Sequence, residues 1–278
     1  SIGDSITTYV PAPSGSMPYH KYWAQWYNIT NNNYGVSSTT VCPRPDKDNS
    51  FIERYPSRRD DAHLVTVKGG TNDWGANFAT GTLSDREPTT YIGGIRTLME
   101  GLIEKYPNSH IVFFSPIKRS SDRTINNNGS SLLDYTNALI ELGKIYNIPV
   151  IDIYTPEELD FTSEIITPGG HDPETGEWHD TVCESDLMPD GLHPSGKGQK
   201  IMAEYMMAEM ISLGVFNDNS PKPESGDVNS DGKVDRKDLT RLAQYFARWS
   251  VEIDNIQSDA NGDGTVDRKD LTRLAQYF

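Results

Sequence analysis

Two cysteines, Cys42 and Cys183, are all that the 278 residues contain. That is too few for a fold stapled by disulfides, and the spacing leaves open whether the two bridge or stay as buried thiols. Basic residues are scarce too: 25 Lys and Arg stand against 40 Asp and Glu, a formal charge of −15 at pH 7. Such a balance lacks the positive footprint that nucleic-acid binding needs. No apolar run approaches the roughly 20 residues of a membrane-crossing helix, so neither nucleic acid nor membrane is expected as a partner. No secretory leader is visible. Aromatic residues, at 10% of the chain, suffice for a core, and the length accommodates one catalytic-size domain plus a small one.

The C-terminal end carries an internal repeat. Val234–Phe246 reads VDRKDLTRLAQYF, and Val266–Phe278 reads the same. Each copy follows an Asp-rich loop. Calcium takes about six to eight oxygen ligands, and a twelve-residue loop supplies them from positions 1, 3, 5, 7, 9 and 12. In the first loop these are Asp227, Asn229, Asp231, the Lys233 carbonyl, Asp235 and Asp238; in the second they are Asp259, Asn261, Asp263, the Thr265 carbonyl, Asp267 and Asp270. Gly232 and Gly264 fall at position 6, where the turn is sharp. Leu239, Leu242, Ala243 and Phe246, then Leu271, Leu274, Ala275 and Phe278, recur at helical spacing. Each unit is thus a loop and one helix, and two structural calcium ions are expected. Solvated acidic turns without metal would not explain the same oxygen register twice.

No amphipathic helix precedes either loop, and position 12 is Asp rather than Glu. In both respects the segment resembles the type I dockerins of cellulosomal enzymes. The resemblance implies docking to a cohesin module of a scaffoldin, with Arg236, Lys237, Arg268 and Lys269 facing the cohesin, in either of two orientations. Dockerins act outside the cell, so a secreted, extracellular protein is expected, its precursor carrying further apolar residues before Ser1.

The stretch before the repeat reads differently. The polar, Pro-bearing residues 216–225 read as a linker, placing a larger domain at 1–215 and the dockerin-like one at 226–278. Within 1–215, His63–Lys68, His110–Phe114 and Ile148–Asp152 read as buried strands, whereas Tyr91–Tyr106, Leu132–Tyr146 and Ser195–Leu213 read as amphipathic helices. Alternation of that kind predicts an α/β domain, a parallel sheet covered by helices on both faces, with sites at the carboxyl ends of the strands.

Three motifs fall at such ends: Gly3-Asp4-Ser5, Gly70-Thr71-Asn72-Asp73 and Asp190-Gly-Leu-His193. Ester hydrolysis needs a nucleophile, a base and donors for the oxyanion. Ser5 supplies the hydroxyl, the His193 imidazole is the base that can take its proton, and Asp190 is close enough in sequence to orient the imidazole. In this order the blocks resemble the SGNH, or GDSL-type, hydrolases, whose fold is a three-layer α/β/α, flavodoxin-like sheet. The resemblance implies oxyanion donors at the Ser5 N–H, the Asn72 amide and one further N–H, with no catalytic cofactor. That last position departs from the family: its usual glycine aligns with Ser38, and Gly35 lies three residues earlier. Trp74, beside the Asn72–Asp73 corner, is taken as a substrate-binding residue, with core packing as the alternative. His171, Asp172, Glu174, Glu177, His179 and Asp180 lie in a Gly-Pro-rich segment without zinc-site spacing and read as a solvated lid or loop. His63 and His110 open strands, and His20 opens an aromatic helix.

Attachment to a cellulosome implies work on plant cell wall, and the family resemblance then implies removal of acetyl groups from acetylated polysaccharide such as xylan. Loops after the motifs carry Asn, Thr, Ser, Asp and Trp, which suit sugar hydroxyls and a small acyl group better than a long chain. A GDSL lipase or lysophospholipase is the enzyme alternative; a non-catalytic cellulosome component with a decayed hydrolase fold is the other.

Overall fold

Five short parallel strands frame the larger unit: β1 (Ile2–Gly3), β2 (Tyr34–Gly35), β3 (Leu64–Lys68), β4 (His110–Phe114) and β5 (Val150–Ile151), in the order β2-β1-β3-β4-β5. The computed structural model describes residues 1–9, 17–120, 125–162, 165–167, 170–171, 175–179, 182–183, 186–215, 226–229, 234, 236–246, 252–253, 257–261 and 265–275; at 165–167, 170–171, 178–179, 182–183, 236 and 244 it describes backbone alone. Register brings the strand ends level. Gly3 lies opposite both Gly35 and Lys68, Lys68 opposite Phe114, and Phe114 opposite Ile151. The order reverses between β1 and β3, where a doubly wound sheet opens its crevice.

Pleating sorts side chains onto the two faces. Val65, Val67, Ile111 and Phe113 point into one core with Ile95, Leu98, Met99 and Leu102 of the helix Tyr91–Lys105 and Leu139 and Leu142 of the helix Leu132–Tyr146. Phe114 faces the other way, its ring 6.5 Å from Tyr19 and 5.7 Å from Trp23 of the helix Tyr19–Trp26. In chain order the helices of this unit are α1 (Ser5–Thr8), α2 (Tyr19–Trp26), α3 (Phe51–Arg54), α4 (Thr71–Gly75), α5 (Tyr91–Lys105), α6 (Leu132–Tyr146) and α7 (Gly196–Ser212). Helix α2 is tied to α7 by Trp23 Nε1 donating to the Ala203 carbonyl at 2.9 Å and the Tyr19 N–H donating to Gln199 Oε1 at 3.0 Å. Helices on both faces make this a three-layer α/β/α fold.

Caps account for the helix limits. Thr90 accepts from the Gly93 N–H to start α5, a Ser131–Asp134 capping box starts α6, and Asn147, at φ 53°, ends it. The predicted strand His110–Phe114 and helix Leu132–Tyr146 match residue for residue; the others differ by one or two residues at an end. One difference is larger. The Gly-Pro-rich segment expected as a loop carries two small antiparallel ladders, β6 (Ile165–Thr167) with β9 (Val182–Cys183) and β7 (Gly170–His171) with β8 (Trp178–His179). Asp172, Glu174 and Asp180 lie outside the described residues.

Compact units span Ser1–Glu209 and Met210–Phe278. In the second, helices α8 (Arg236–Phe246) and α9 (Arg268–Ala275) pack together. Their core is two-fold in sequence: Val228 and Leu242 from one repeat are buried with Ala260 and Leu274, their counterparts in the other.

Candidate active site

Each residue of Gly3-Asp4-Ser5 has its own reason. A Cβ on Gly3 would lie 1.9 Å from Thr7 Oγ1, so only glycine lets α1 fold back on β1. Asp4 is fully buried, and its Oδ1 caps α1 by accepting the Ile6 N–H at 3.0 Å. Ser5 then opens the helix, where its own N–H has no carbonyl one turn back to bond.

The Ser5 Oγ stands 2.8 Å from His193 Nε2, and His193 Nδ1 stands 2.6 Å from Asp190 Oδ2. Asp190 Oδ1 accepts the main-chain N–H of Leu192 at 2.9 Å and of His193 at 2.6 Å. Burial alone would raise the Asp190 pKa. The hydrogen bonds from the His193 ring and the two amides, with the charge of His193, outweigh it and hold the carboxyl at about 2. An ionised Asp190 fixes the imidazole with its proton on Nδ1 and a lone pair on Nε2 toward Ser5. The loop carrying both residues is anchored: Gly191 turns with φ 69°, and its carbonyl accepts from the Ser120 N–H at 2.7 Å. Ser5 thus joins His193, 188 residues later in sequence, and Asp190 in one hydrogen-bonded chain at the carboxyl edge of the sheet.

Asn72, second residue of α4, donates Nδ2 to the Thr39 carbonyl at 3.0 Å. That uses one of its two N–H bonds. Ser38, just before Thr39, is exposed and holds φ 61°, so the left-handed backbone expected of glycine is present on a serine. Gly35 serves packing instead, since a Cβ there would meet the Thr8 nitrogen at 2.4 Å. Two residues to which the sequence reading assigned no role also converge here. Asp73 accepts the amides of Val41 and Cys42. Arg54 donates to the carbonyls of Gly3 and Tyr34 and to Thr39 Oγ1. A buried carboxylate and a buried guanidinium carry no periodic sequence signal; only the adjacency of Asp73 to Asn72 hinted at one of them.

The substrate-binding expectation for Trp74 is corrected. Its side chain is 7% exposed within the main core, and its indole N–H is spent on the Ser130 carbonyl at 3.0 Å. Cys42 is a free, buried thiol, which removes the disulfide alternative. His20 is a buried structural residue: its Nε2 bonds the Thr7 carbonyl at 2.9 Å, and burial lowers its pKa to about 4.

In the repeat unit the position-12 carboxylates behave alike. Asp238 and Asp270 are fully buried, and each Oδ1 accepts the amide of the position-3 residue, Asn229 or Asn261, at 3.1 Å. Buried carboxylates drawn across an acidic loop fit a cation, which would offset their desolvation. Asp231, Lys233, Asp235 and Asp263 lie outside the described residues, and no group of three or more acidic, His or Cys side chains converges among the described ones. Lys237, Arg268 and Lys269 are exposed; the side chain of Arg236 is not among those described.

A parallel sheet of this order, with Ser, Asn and His blocks at its carboxyl edge, defines the SGNH class of α/β/α hydrolase folds. The chain belongs to the GDSL-like lipase/acylhydrolase family, whose profile matches residues 1–201, and the type I dockerin domain profile matches residues 225–278. Among solved structures, a Lactobacillus plantarum protein is similar at 25% identity and TM-score 0.63, covering 76% of this chain and 94% of its own. A possible lipase from Chitinophaga pinensis shares 23% identity at TM-score 0.61 over 77% of this chain and 98% of its own. A variant of an acetyl-xylooligosaccharide esterase from Geobacillus shares 17% at TM-score 0.50 over 75% and 91%. No curated protein matches the chain.

Proposed function

We propose that the protein is a secreted cellulosomal serine esterase that removes acetyl groups from plant cell-wall polysaccharide such as xylan. The catalytic domain would span 1–215, and a calcium-loaded dockerin at 226–278 would tether it to a scaffoldin cohesin. The observation that carries the reading is the Ser5–His193–Asp190 hydrogen-bonded chain on a polypeptide that also bears a dockerin.

Ser5 Oγ attacks the acetyl carbonyl carbon while His193 Nε2 takes its proton. Asp190 holds the tautomer and stabilises the imidazolium without itself becoming protonated. Negative charge builds on the carbonyl oxygen, which meets the Ser5 N–H, the second N–H of the Asn72 amide and the Ser38 N–H. The intermediate collapses, the sugar hydroxyl leaves with the proton from His193, and the acetyl group stays on Ser5. A water molecule, deprotonated by His193, then attacks the acetyl-enzyme; the acyl–Oγ bond breaks, His193 returns the proton to Ser5 Oγ, and acetate is released. In the dockerin, Asp227, Asn229, Asp238, Asp259, Asn261, Asp267 and Asp270 would supply side-chain oxygens to two calcium ions, together with Asp231, Asp235, Asp263 and the carbonyls of Lys233 and Thr265. Lys237, Arg268, Lys269 and Arg236 would meet the cohesin. The Geobacillus esterase supports the substrate class only through its shared fold.

Replacing Ser5 by Ala is expected to abolish acetate release from acetylated xylan while leaving cohesin binding unchanged. Activity that rises from acetate to octanoate esters would instead favour a lipase.

A further inference from the structure

We propose that Asp73 is a positioning residue, one that sets the segment Ser38–Cys42 in register with Ser5 so that its main chain meets the developing oxyanion; this rests on the esterase reading above. Each carboxylate oxygen of Asp73 accepts one main-chain amide, Oδ2 from Val41 at 2.9 Å and Oδ1 from Cys42 at 3.0 Å. The preceding residue, Asn72, donates to the Thr39 carbonyl at 3.0 Å. Residues 39–42 are therefore fastened at three points to two consecutive residues of α4, and Ser38, with its left-handed backbone, is the next residue out. Arg54 Nη2 in turn bridges the Gly3 carbonyl at 2.6 Å and Thr39 Oγ1 at 3.2 Å. The oxyanion segment is thus clamped between the strand that leads into the nucleophile and the helix that carries Asn72.

The chemistry of the clamp requires a carboxylate. Two parallel N–H donors need two acceptor oxygens; an amide offers one, and its amino group would face the second N–H. Asp73 is fully buried. The titratable groups facing it are the Cys42 thiol of the clamped segment, Tyr91 of α5 and Tyr135 of α6. Burial raises the pKa of all three, so each stays neutral. The Asp73 charge is therefore balanced mainly by the two amides. Burial pushes its pKa up to about 6 in spite of them. Protonation would turn one acceptor into a donor facing an N–H and loosen the segment on the acid side.

Asp73→Asn tests this. The expected result is a kcat for acetyl ester hydrolysis at least tenfold lower, a KM within about twofold of wild type, and an affinity for a boronic acid that mimics the tetrahedral intermediate reduced by the same factor as kcat. Unchanged kcat and boronate affinity would overturn the proposal. The wild-type protein gives a second measurement that needs no variant: the amide resonances of Val41 and Cys42 should titrate together with a midpoint near 6, and amides that do not respond to pH would overturn it equally. Ser5→Ala separates the two layers. Acetate release that survives Ser5→Ala defeats the esterase reading itself. An inactive Ser5→Ala beside a fully active Asp73→Asn defeats only the role of Asp73.

Discussion

Ser38 occupies backbone that favours glycine, and Ser38→Gly turns that into a measurable quantity. With φ at 61° the serine sits in the left-handed region, where an L-residue gives up about 1–2 kcal/mol. Glycine adopts this conformation freely but loses more backbone freedom on folding, roughly 0.5–1 kcal/mol. The difference leaves Ser38→Gly stabilising by about 0.5–1 kcal/mol. In a domain of this size that raises Tm by about 1–4 °C. The proposed donor is a main-chain N–H, which glycine carries as well, so kcat should stay within roughly threefold of wild type. Calorimetry of the catalytic-domain transition and initial rates on an acetyl ester read both quantities. A lowered Tm, or a kcat reduced tenfold, would refute the reasoning, because it would mean that the serine side chain itself contributes at the site.

Three further predictions follow the same logic. Asp190→Asn should lower kcat by about 10³–10⁴-fold through loss of the imidazole tautomer, and a loss below tenfold in steady-state assays would contradict that role. Asp73 has a folded pKa of about 6 against an ordinary 3.8, so the folded state binds its proton more tightly than the unfolded chain does; its contribution to stability is fully present below 3.8 and is lost as pH rises through 6. Asp73→Asn lacks this loss, and its stability relative to wild type should rise by up to ~3 kcal/mol between pH 4 and pH 7; denaturant melts that give a pH-independent difference would speak against it. A calcium chelator should abolish cohesin binding and lower the melting temperature of the repeat unit while leaving ester hydrolysis intact, and parallel loss of both activities would show that calcium serves the catalytic domain too.

Much of the architecture was readable because its signals are periodic or local. Buried runs such as His110–Phe114 and the capped helix Leu132–Tyr146 announce themselves by pattern and by Ser131 and Asp134. The Ser5, Asn72, Asp190 and His193 positions were readable because reaction chemistry restricts residue type. What escaped depends on tertiary approach. Trp74 beside a motif looks the same in sequence whether it faces a cleft or the core, and only the Ser130 carbonyl, 56 residues away, decides it. Asp73 and Arg54 act through main-chain atoms of distant residues, whose side chains leave no trace of the bond. The ladders at Ile165–Cys183 are two or three residues per strand, too short for alternation to register.

The central claim is that Ser5 is the acyl-carrying nucleophile, activated by His193. Labelling the protein with a serine-reactive fluorophosphonate, mapping the modified residue by peptide mass, and following acetate release from acetylated xylan tests it most directly. The account predicts modification at Ser5, complete loss of acetate release on labelling, and no label in Ser5→Ala. A label on another residue, or an unlabelled Ser5→Ala protein that still releases acetate at the wild-type rate, would contradict it.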